Sequence, residues 1–514
     1  MIMDNISLFK KSIKWIDNYT IDGNGISVTS NQNVIYPEVT GYYIPTLLKW
    51  GERDKALSYA KYLCSIQKDD GSWFDSQDMA PYVFDSAQIL KGLLAIRDIL
   101  PDVDSCIIKG CNWILSNVKS DGRLITPNKD AWGTNEDFCS ELIHIYCLSP
   151  IKEAGVLFNK PEYFESVNKI LSYYLCKKRD KIINFSLLSH FYAYVMEGLY
   201  DLGEIKLCHK AMNRLEKYRN ATGEIPGLKN VSWVCSTGLF QLALVWYKLG
   251  DLKRGNSLFE AGLKYQNQSG GWFGSYPTNK LLHHLRRSYR PYYFPDEEIS
   301  WAVKYFLDAL AWKEKLEFES QASSFLADID AMDGRYRLVR KITELVSKSF
   351  SINIAVCDAG CGKGRYLKRL IEDCKQNDYY AFDISDTVMR DINNVKKKAG
   401  TLTDIPYEDD TFHFTYCCEA FEHAIHLKTA FNELYRVTKD GGVVLIIDKP
   451  VKKLGKLELD EWEQWIDDKD ILRYAKECGG RVKVVKSIPY ENKNDGLFRG
   501  WIIQVRKSNA KSST

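Results

Sequence analysis

Apolar residues recur at helical spacing along roughly the first three hundred positions, whereas from about residue 351 short apolar strands alternate with helical stretches. The first pattern predicts about twelve helices, over 5–18, 38–50, 53–66, 83–100, 105–117, 135–148, 161–176, 187–202, 204–218, 233–249, 251–267 and 296–312. Residues 313–350 read as amphipathic helices leading into the second pattern.

Between the helices a polar turn repeats. Gln67-Lys68-Asp69-Asp70-Gly71-Ser72-Trp73-Phe74 and Gln266-Asn267-Gln268-Ser269-Gly270-Gly271-Trp272-Phe273 share Gln, Gly, Trp and Phe at identical spacing. Weaker copies centre on Gly23, Gly122 and Gly223, and a sixth, lacking its glycine, on Lys181. The intervals of 48, 51, 59, 42 and 47 residues each hold two helices of about four turns. Six hairpins closed into a ring, an (α/α)6 toroid over 1–312, is the expected architecture; an open helical solenoid would also tolerate such uneven repeats. The Q-x-x-D-G-x-W-F turns resemble those of terpene-cyclase and prenyltransferase toroids. The segment Tyr36-Pro37-Glu38-Val39-Thr40-Gly41-Tyr42-Tyr43-Ile44-Pro45 resembles toroids of surface-polysaccharide proteins.

Every second helix would line the ring, and these inner helices begin with acidic and aromatic residues. Glu38, Tyr42, Asp85, Glu136, His190 and Trp233 are therefore candidate substrate contacts on one rim. Carboxylates that accept sugar hydroxyls, beside rings that stack on sugar C–H faces, suit a saccharide. The competing reading is that Glu38 and Asp85 serve as helix caps. Cationic cyclisation is disfavoured, because the nearest acidic string, Asp328-Ile329-Asp330-Ala331-Met332-Asp333, lacks D-x-D-D spacing and lies outside the repeats. No zinc set of the prenyltransferase kind assembles by motif. His283-His284, in a basic aromatic stretch, suits an anionic sugar or phosphate, or is a solvated loop.

Composition narrows the classes. Lys+Arg 70 against Asp+Glu 67 leaves a charge of +3, without the basic excess of a dedicated nucleic-acid binder. No apolar run approaches about 18 residues and the first twenty residues are charged, so neither a membrane span nor a signal peptide is expected. Fourteen cysteines without a C-x-x-C pair are expected to be reduced thiols in a cytoplasmic protein.

The C-terminal region, 351–514, carries the sharper motif. Strand 352–357 runs into Asp358-Ala359-Gly360-Cys361-Gly362-Lys363-Gly364, then a helix over 365–374, then strand 379–382 ending at Asp383. Strand, glycines, helix, strand and terminal acid in that order define a nucleotide-type site. Gly360, Gly362 and Gly364 allow close backbone approach, and an acid at the second strand end suits ribose hydroxyls. The acid-led D-x-G-x-G-x-G resembles class I S-adenosylmethionine (SAM) methyltransferases, which implies a Rossmann-like seven-stranded α/β domain with SAM as cofactor. On that resemblance Asp358, Ala359, Gly360, Gly362 and Gly364 face the amino-acid end. Asp383 and Ile384 hold the ribose, and Asp404, Ile405 and Cys418 lie by the adenine and the methyl donor. Two positions depart from the family pattern: Thr401 stands where Asp is usual, as does His413.

Acceptor chemistry is expected in Cys418-Glu419-Ala420-Phe421-Glu422-His423-Ala424-Ile425-His426, after the fourth strand. This E-x-x-E-H string resembles quinone O-methyltransferases and small-RNA end methyltransferases. His423, with Glu419, is the candidate catalytic pair, since hydroxyl methylation gains from a base that titrates near neutrality. A divalent metal held by Glu419, Glu422, His423 and His426 is the less favoured reading, and helix capping a third. The whole predicts a SAM-dependent O-methyltransferase acting on a saccharide or glycan intermediate of surface-polysaccharide biosynthesis. The alternatives are a lipid or quinone methyltransferase with a prenyl-binding toroid, and a toroid that is only an interaction scaffold.

Overall fold

The computed structural model describes residues 5–127, 141–278, 293–451, 457–459, 462–490 and 493–507. The chain divides into two compact units, Met1–Leu48 with Glu52–Leu316, and Lys49–Gly51 with Glu317–Thr514. Its helices are α1 (Asn5–Tyr19), α2 (Pro37–Lys49), α3 (Arg53–Ser65), α4 (Val83–Ile96), α5 (Asp104–Ser116), α6 (Leu148–Leu157), α7 (Pro161–Lys177), α8 (Arg179–Ile183) and α9 (Ser189–Asp201). They continue with α10 (Ile205–Leu215), α11 (Ser236–Lys248), α12 (Leu252–Leu263), α13 (Ser300–Gln321), α14 (Gly334–Phe350), α15 (Arg365–Asp373), α16 (Leu427–Val437) and α17 (Asp468–Glu477).

In the first unit the inner elements touch one another all the way round. Gly41 of α2 lies so close to α4 that a Cβ there would meet Ile89 Cα at 2.5 Å. Helix α4 packs on the 3-10 turn Glu141–Cys147, and a Cβ on Gly198 of α9 would come 2.8 Å from Tyr146 Cα in that turn. A Cβ on Gly238 of α11 would meet Ser189 Oγ of α9 at 2.2 Å. Gln241 Nε2 of α11 donates to Tyr305 Oη of α13 at 2.7 Å. Tyr43 Oη and Thr46 Oγ1 of α2 then donate to Ser300 O (2.6 Å) and Asp308 Oδ1 (2.8 Å) of α13. The ring is closed, and the open solenoid is excluded.

The repeated turns are built alike. Gly71, Gly122, Gly223 and Gly270 all have φ between 88° and 101°, a region that other residues seldom adopt. Gln67 Nε2 donates to Gly71 O and to Cys106 O of α5, at 3.1 and 2.9 Å. Gln266 Nε2 repeats this with Gly270 O and Leu8 O of α1, at 3.1 and 3.3 Å. Trp73 and Trp272 are fully buried, each donating its indole N–H to a carbonyl of the preceding helix.

Several boundaries differ from those expected. The expected helix 135–148 lies outside the described residues up to 140, and from 141 it is a 3-10 turn followed by α6 over 148–157. The helix expected over 233–249 begins as a short strand, Trp233–Cys235, paired with Ser275–Pro277. Helix α13 runs on to Gln321, past the expected end at 312.

The second unit is built on one seven-stranded sheet. In chain order its strands are β1 (Ala355–Ala359), β2 (Asp378–Asp383), β3 (Lys396–Ala399), β4 (Phe412–Cys418), β5 (Thr438–Asp448), β6 (Arg481–Tyr490) and β7 (Lys493–Gln504). Their spatial order is β3-β2-β1-β4-β5-β7-β6, with β1 to β5 parallel and the last two pairings antiparallel. Successive residues of each strand serve opposite faces. Val356, Phe414 and Leu445 pack with α14 and α15, while Cys357, Val444 and Ile446 pack with α16 and α17. The order reverses between β1 and β4, and ligands of doubly wound sheets bind beyond the carboxyl ends at that reversal. Asp358, Asp383 and Cys418 all lie at or next to those ends.

Candidate active site

The turn after β1 has the conformation that its glycines allow. Gly360, Gly362 and Gly364 have φ of 74°, 51° and 73°. A Cβ at 360 would come 2.5 Å from Ala420 Cβ and one at 364 would come 2.8 Å from Ile392 Cδ1, whereas nothing lies within 4 Å of one at 362. The chain therefore packs tightly on both sides of an open space at Gly362. Asp383 Oδ2 accepts the Gly362 N–H at 2.8 Å and Oδ1 the Ser385 N–H at 3.3 Å, so the acid at the end of β2 holds the loop. Asp358 is buried, and that burial pushes its carboxyl up to about 7, with Asp383 adding to the rise against the lowering by Tyr416. Ala359 and Cys418 are buried; Ile384 is half-buried. Ile405 is buried and fixed by its backbone, its N–H on Glu433 Oε2 (2.8 Å) and its carbonyl on Arg436 Nη2 (3.0 Å), while the Asp404 side chain is exposed.

The E-x-x-E-H string separates into two sites. Glu419, in the left-handed region at φ 56°, points its carboxylate at two arginines. Its Oε1 meets Arg335 Nη1 at 2.8 Å and Arg365 Nη2 at 2.5 Å, and accepts the Tyr366 hydroxyl. His423 belongs to the other site: its Nε2 lies 3.9 Å from Glu463 Oε1, and the Phe318 ring meets the imidazole edge-on at 4.9 Å between centroids. Glu422, His423 and Glu463 each bring one ligand atom within 4.8 Å of the others. Lys449 already places its ammonium there, bonded to Glu463 and 3.6 Å from Glu422 Oε1. Burial and the neighbouring Asp448 push Glu422 up to about 12, and burial raises Asp448 to about 6, so these two carboxyls retain a proton between them near neutral pH. His426 Nδ1 pairs with Thr429 Oγ1 at 2.6 Å. The four residues expected as a metal set thus divide, with Glu419 among arginines and His426 at the N-cap of α16.

In the first unit, Glu38 and Asp85 are both buried, and their hydrogen bonds run to side chains of other segments. Trp301 Nε1 donates to Glu38 Oε2 at 3.3 Å and Tyr36 Oη to Asp85 Oδ2 at 3.0 Å. Burial and the facing Asp85 raise Glu38 well above the ordinary carboxyl range; burial pushes Asp85 up to about 7. His190, held by Gln241 at 2.9 Å, is pushed down to about 3 by burial and stays neutral. Tyr42 Oη donates to Tyr194 Oη at 3.0 Å, within a cluster of Phe84, Tyr146, Tyr194 and Tyr305. Below it Glu197 binds Lys248 (3.0 Å) and Gln241 (3.1 Å). Trp233 is buried against Gly227, where a Cβ would meet its ring at 2.0 Å, which marks it as packing. Glu136, His283 and His284 lie outside the described residues.

Residues 357–446 match the family described as a methyltransferase domain. The chain is 32% identical over 99 residues to a sterol 24-C-methyltransferase of Schizosaccharomyces pombe, covering 17% of this chain and 26% of that protein. The chain thus spans about a quarter of that relative's length. A SAM-dependent methyltransferase structure from Aquifex aeolicus is 21% identical, covering 33% of this chain and 97% of its own, with a TM-score of 0.26. An unsaturated glucuronyl hydrolase specific for heparin is 13% identical, covering 61% and 97%, with a TM-score of 0.47. Family match, strand order and glycine loop together make the second unit a SAM-dependent methyltransferase domain. The open space at Gly362, beside Asp383, fits that cofactor, which when bound supplies an electrophilic methyl group. Among the described residues no helix is long and apolar enough to cross a membrane.

Nothing in the sequence singles out Arg335, Arg365, Lys449 and Glu463. They come from α14, the start of α15, the end of β5 and the segment after it, and no motif joins them. Asp333 stands out in the sequence only as part of an acidic string. It caps α14, accepting the Arg335 backbone N–H at 2.8 Å and the Arg335 guanidinium at 2.9 and 3.0 Å.

Proposed function

We propose that the protein is a cytoplasmic SAM-dependent O-methyltransferase acting on a saccharide or glycan intermediate of surface-polysaccharide synthesis, which the toroid binds or processes. The observation that carries the saccharide reading is the carboxyl pair Glu38 and Asp85, buried beside Tyr36 and Trp301 and hydrogen-bonded to them. Hydroxyl-rich ligands match such acceptors, and fusion to the methyltransferase raises the local concentration of a bound acceptor. The resemblance of Tyr36–Pro45 to polysaccharide-associated toroids points the same way. A prenyl chain would need apolar surroundings, whereas the inner helices of this toroid bring together tyrosine hydroxyls, Gln241, Glu197 and Lys248. Likeness to a sterol methyltransferase favours the second reading, a lipid acceptor, for the methyltransferase unit alone.

In this reading His423 takes the acceptor's hydroxyl proton, and Glu463 faces the imidazolium so formed. Incubation of the full chain with methyl-labelled SAM and panels of nucleotide sugars, glycans, quinones and lipid extracts tests it by mass spectrometry. Label in a saccharide is the expected result. Label only in the lipid or quinone panels would overturn it.

A further inference from the structure

Arg365 is the first residue of α15, directly after Gly364, and is largely buried. A guanidinium offers five N–H donors in a rigid fork. Among the described residues the one side chain that Arg365 hydrogen-bonds is Glu419, through Nη2 at 2.5 Å. Glu419 in turn uses a single oxygen, Oε1, for Arg335, Arg365 and Tyr366. Its other oxygen has no hydrogen-bond partner among the described residues. The next residue, Ala420, is the one against which Gly360 closes, where a Cβ would come to 2.5 Å. Arg335 is fully buried and is held from behind by Asp333 at 2.9 Å, which fixes the guanidinium whose Nη1 meets Glu419 Oε1 at 2.8 Å.

The geometry points to Arg365 and Glu419 as the pair that recognises the zwitterionic amino-acid end of the cofactor. Arg365's open fork takes the α-carboxylate, and the second oxygen of Glu419 takes the α-ammonium. Arg335 acts as the positioning residue that holds Glu419. The inference rests on the glycine loop binding SAM. It moves Glu419 from proton transfer to cofactor recognition, and it relieves Asp358 of anchoring the ammonium. Asp358, raised by burial to about 7, is in any case a poorer partner for a cation near neutral pH. A charge-neutral pair suits a zwitterion, because each ligand charge meets its opposite at fixed spacing.

The test is calorimetric and needs no acceptor. The full chain is titrated with S-adenosylhomocysteine, which carries the amino-acid end, and with 5′-methylthioadenosine, which lacks it. Arg365→Ala and Glu419→Gln should each weaken S-adenosylhomocysteine about 10–100-fold, the loss of one or two charge-assisted bonds. Binding of methylthioadenosine should stay within about twofold of wild type. Arg365→Lys, which keeps the charge and loses the fork, should fall between and guards against misfolding of Glu419→Gln. Equal losses for both ligands, or none for either, would overturn the inference while leaving the cofactor site intact. A wild type that binds neither ligand would overturn the cofactor reading beneath it.

Discussion

His423 Nε2 and Glu463 Oε1 face each other across 3.9 Å, with the Lys449 ammonium bonded to the far oxygen of Glu463. That separation is longer than a hydrogen bond. Two residues that follow Glu463 are tied down, Gln464 N–H to Glu422 O at 3.1 Å and Ile466 N–H to Lys449 O at 2.9 Å, so the backbone that carries the carboxylate is held in place.

If His423 is the base, His423→Ala should lower turnover on the acceptor by about 10²–10⁴. Affinity for S-adenosylhomocysteine should be unchanged, and chelators should have no effect. Rapid-quench transfer of labelled methyl measures this. Chelator-sensitive turnover in the wild type would instead favour a metal among Glu422, His423 and Glu463.

Asp383→Ala removes the acceptor of the Gly362 N–H and with it the brace of the glycine loop. Binding of S-adenosylhomocysteine should weaken by roughly 1–3 kcal/mol, read by calorimetry.

Stability of the toroid should depend on pH through Asp85. Its carboxyl titrates near 7 in the fold, against 3.8 for the ordinary group, because burial disfavours the charge. Between these values the folded state holds the proton and the unfolded chain does not, so stability falls as pH rises from about 4 to about 7. At about 1.4 kcal/mol per pH unit the loss is on the order of 2–4 kcal/mol. Asp85→Asn should flatten the slope, and melting curves across that range measure it.

Glu38→Gln separates ligand contact from helix capping. Its side chain bonds Trp301 of the neighbouring helix α13, so the substitution should weaken saccharide binding and shift the melting temperature little. A capping role would cost about 0.5–2 kcal/mol of stability on substitution by Ala and leave binding alone.

The ring and the nucleotide-type sheet are legible in the sequence because each repeats a local rule. Gly71 and Gly270 announce turns that need positive φ, and Asp358 to Gly364 announces a strand, a tight turn and a helix. Helix ends are less legible. Val83's helix stops at Ile96 rather than 100, since Pro101 opens a separate 3-10 turn and residues before proline leave the α region. Strand β3, reading Lys-Lys-Lys-Ala, has no apolar alternation to reveal it, and forms as a lysine-guarded edge beside β2. The E-x-x-E-H string reads as one site because its residues are neighbours in sequence. Glu419's left-handed backbone divides it, and the partners that define each half, Arg335 and Glu463, come from distant segments.

Gln266 reaches Leu8 of α1 just as Gln67 reaches Cys106 of α5, so the first helix receives the last turn. An open stack of repeats has two ends from which it can fray. This ring has none, and losing any hairpin strands the apolar faces of two neighbours at once. Unfolding of the toroid should therefore be a single cooperative event. Trimming α1 should be as damaging as removing a hairpin from the middle.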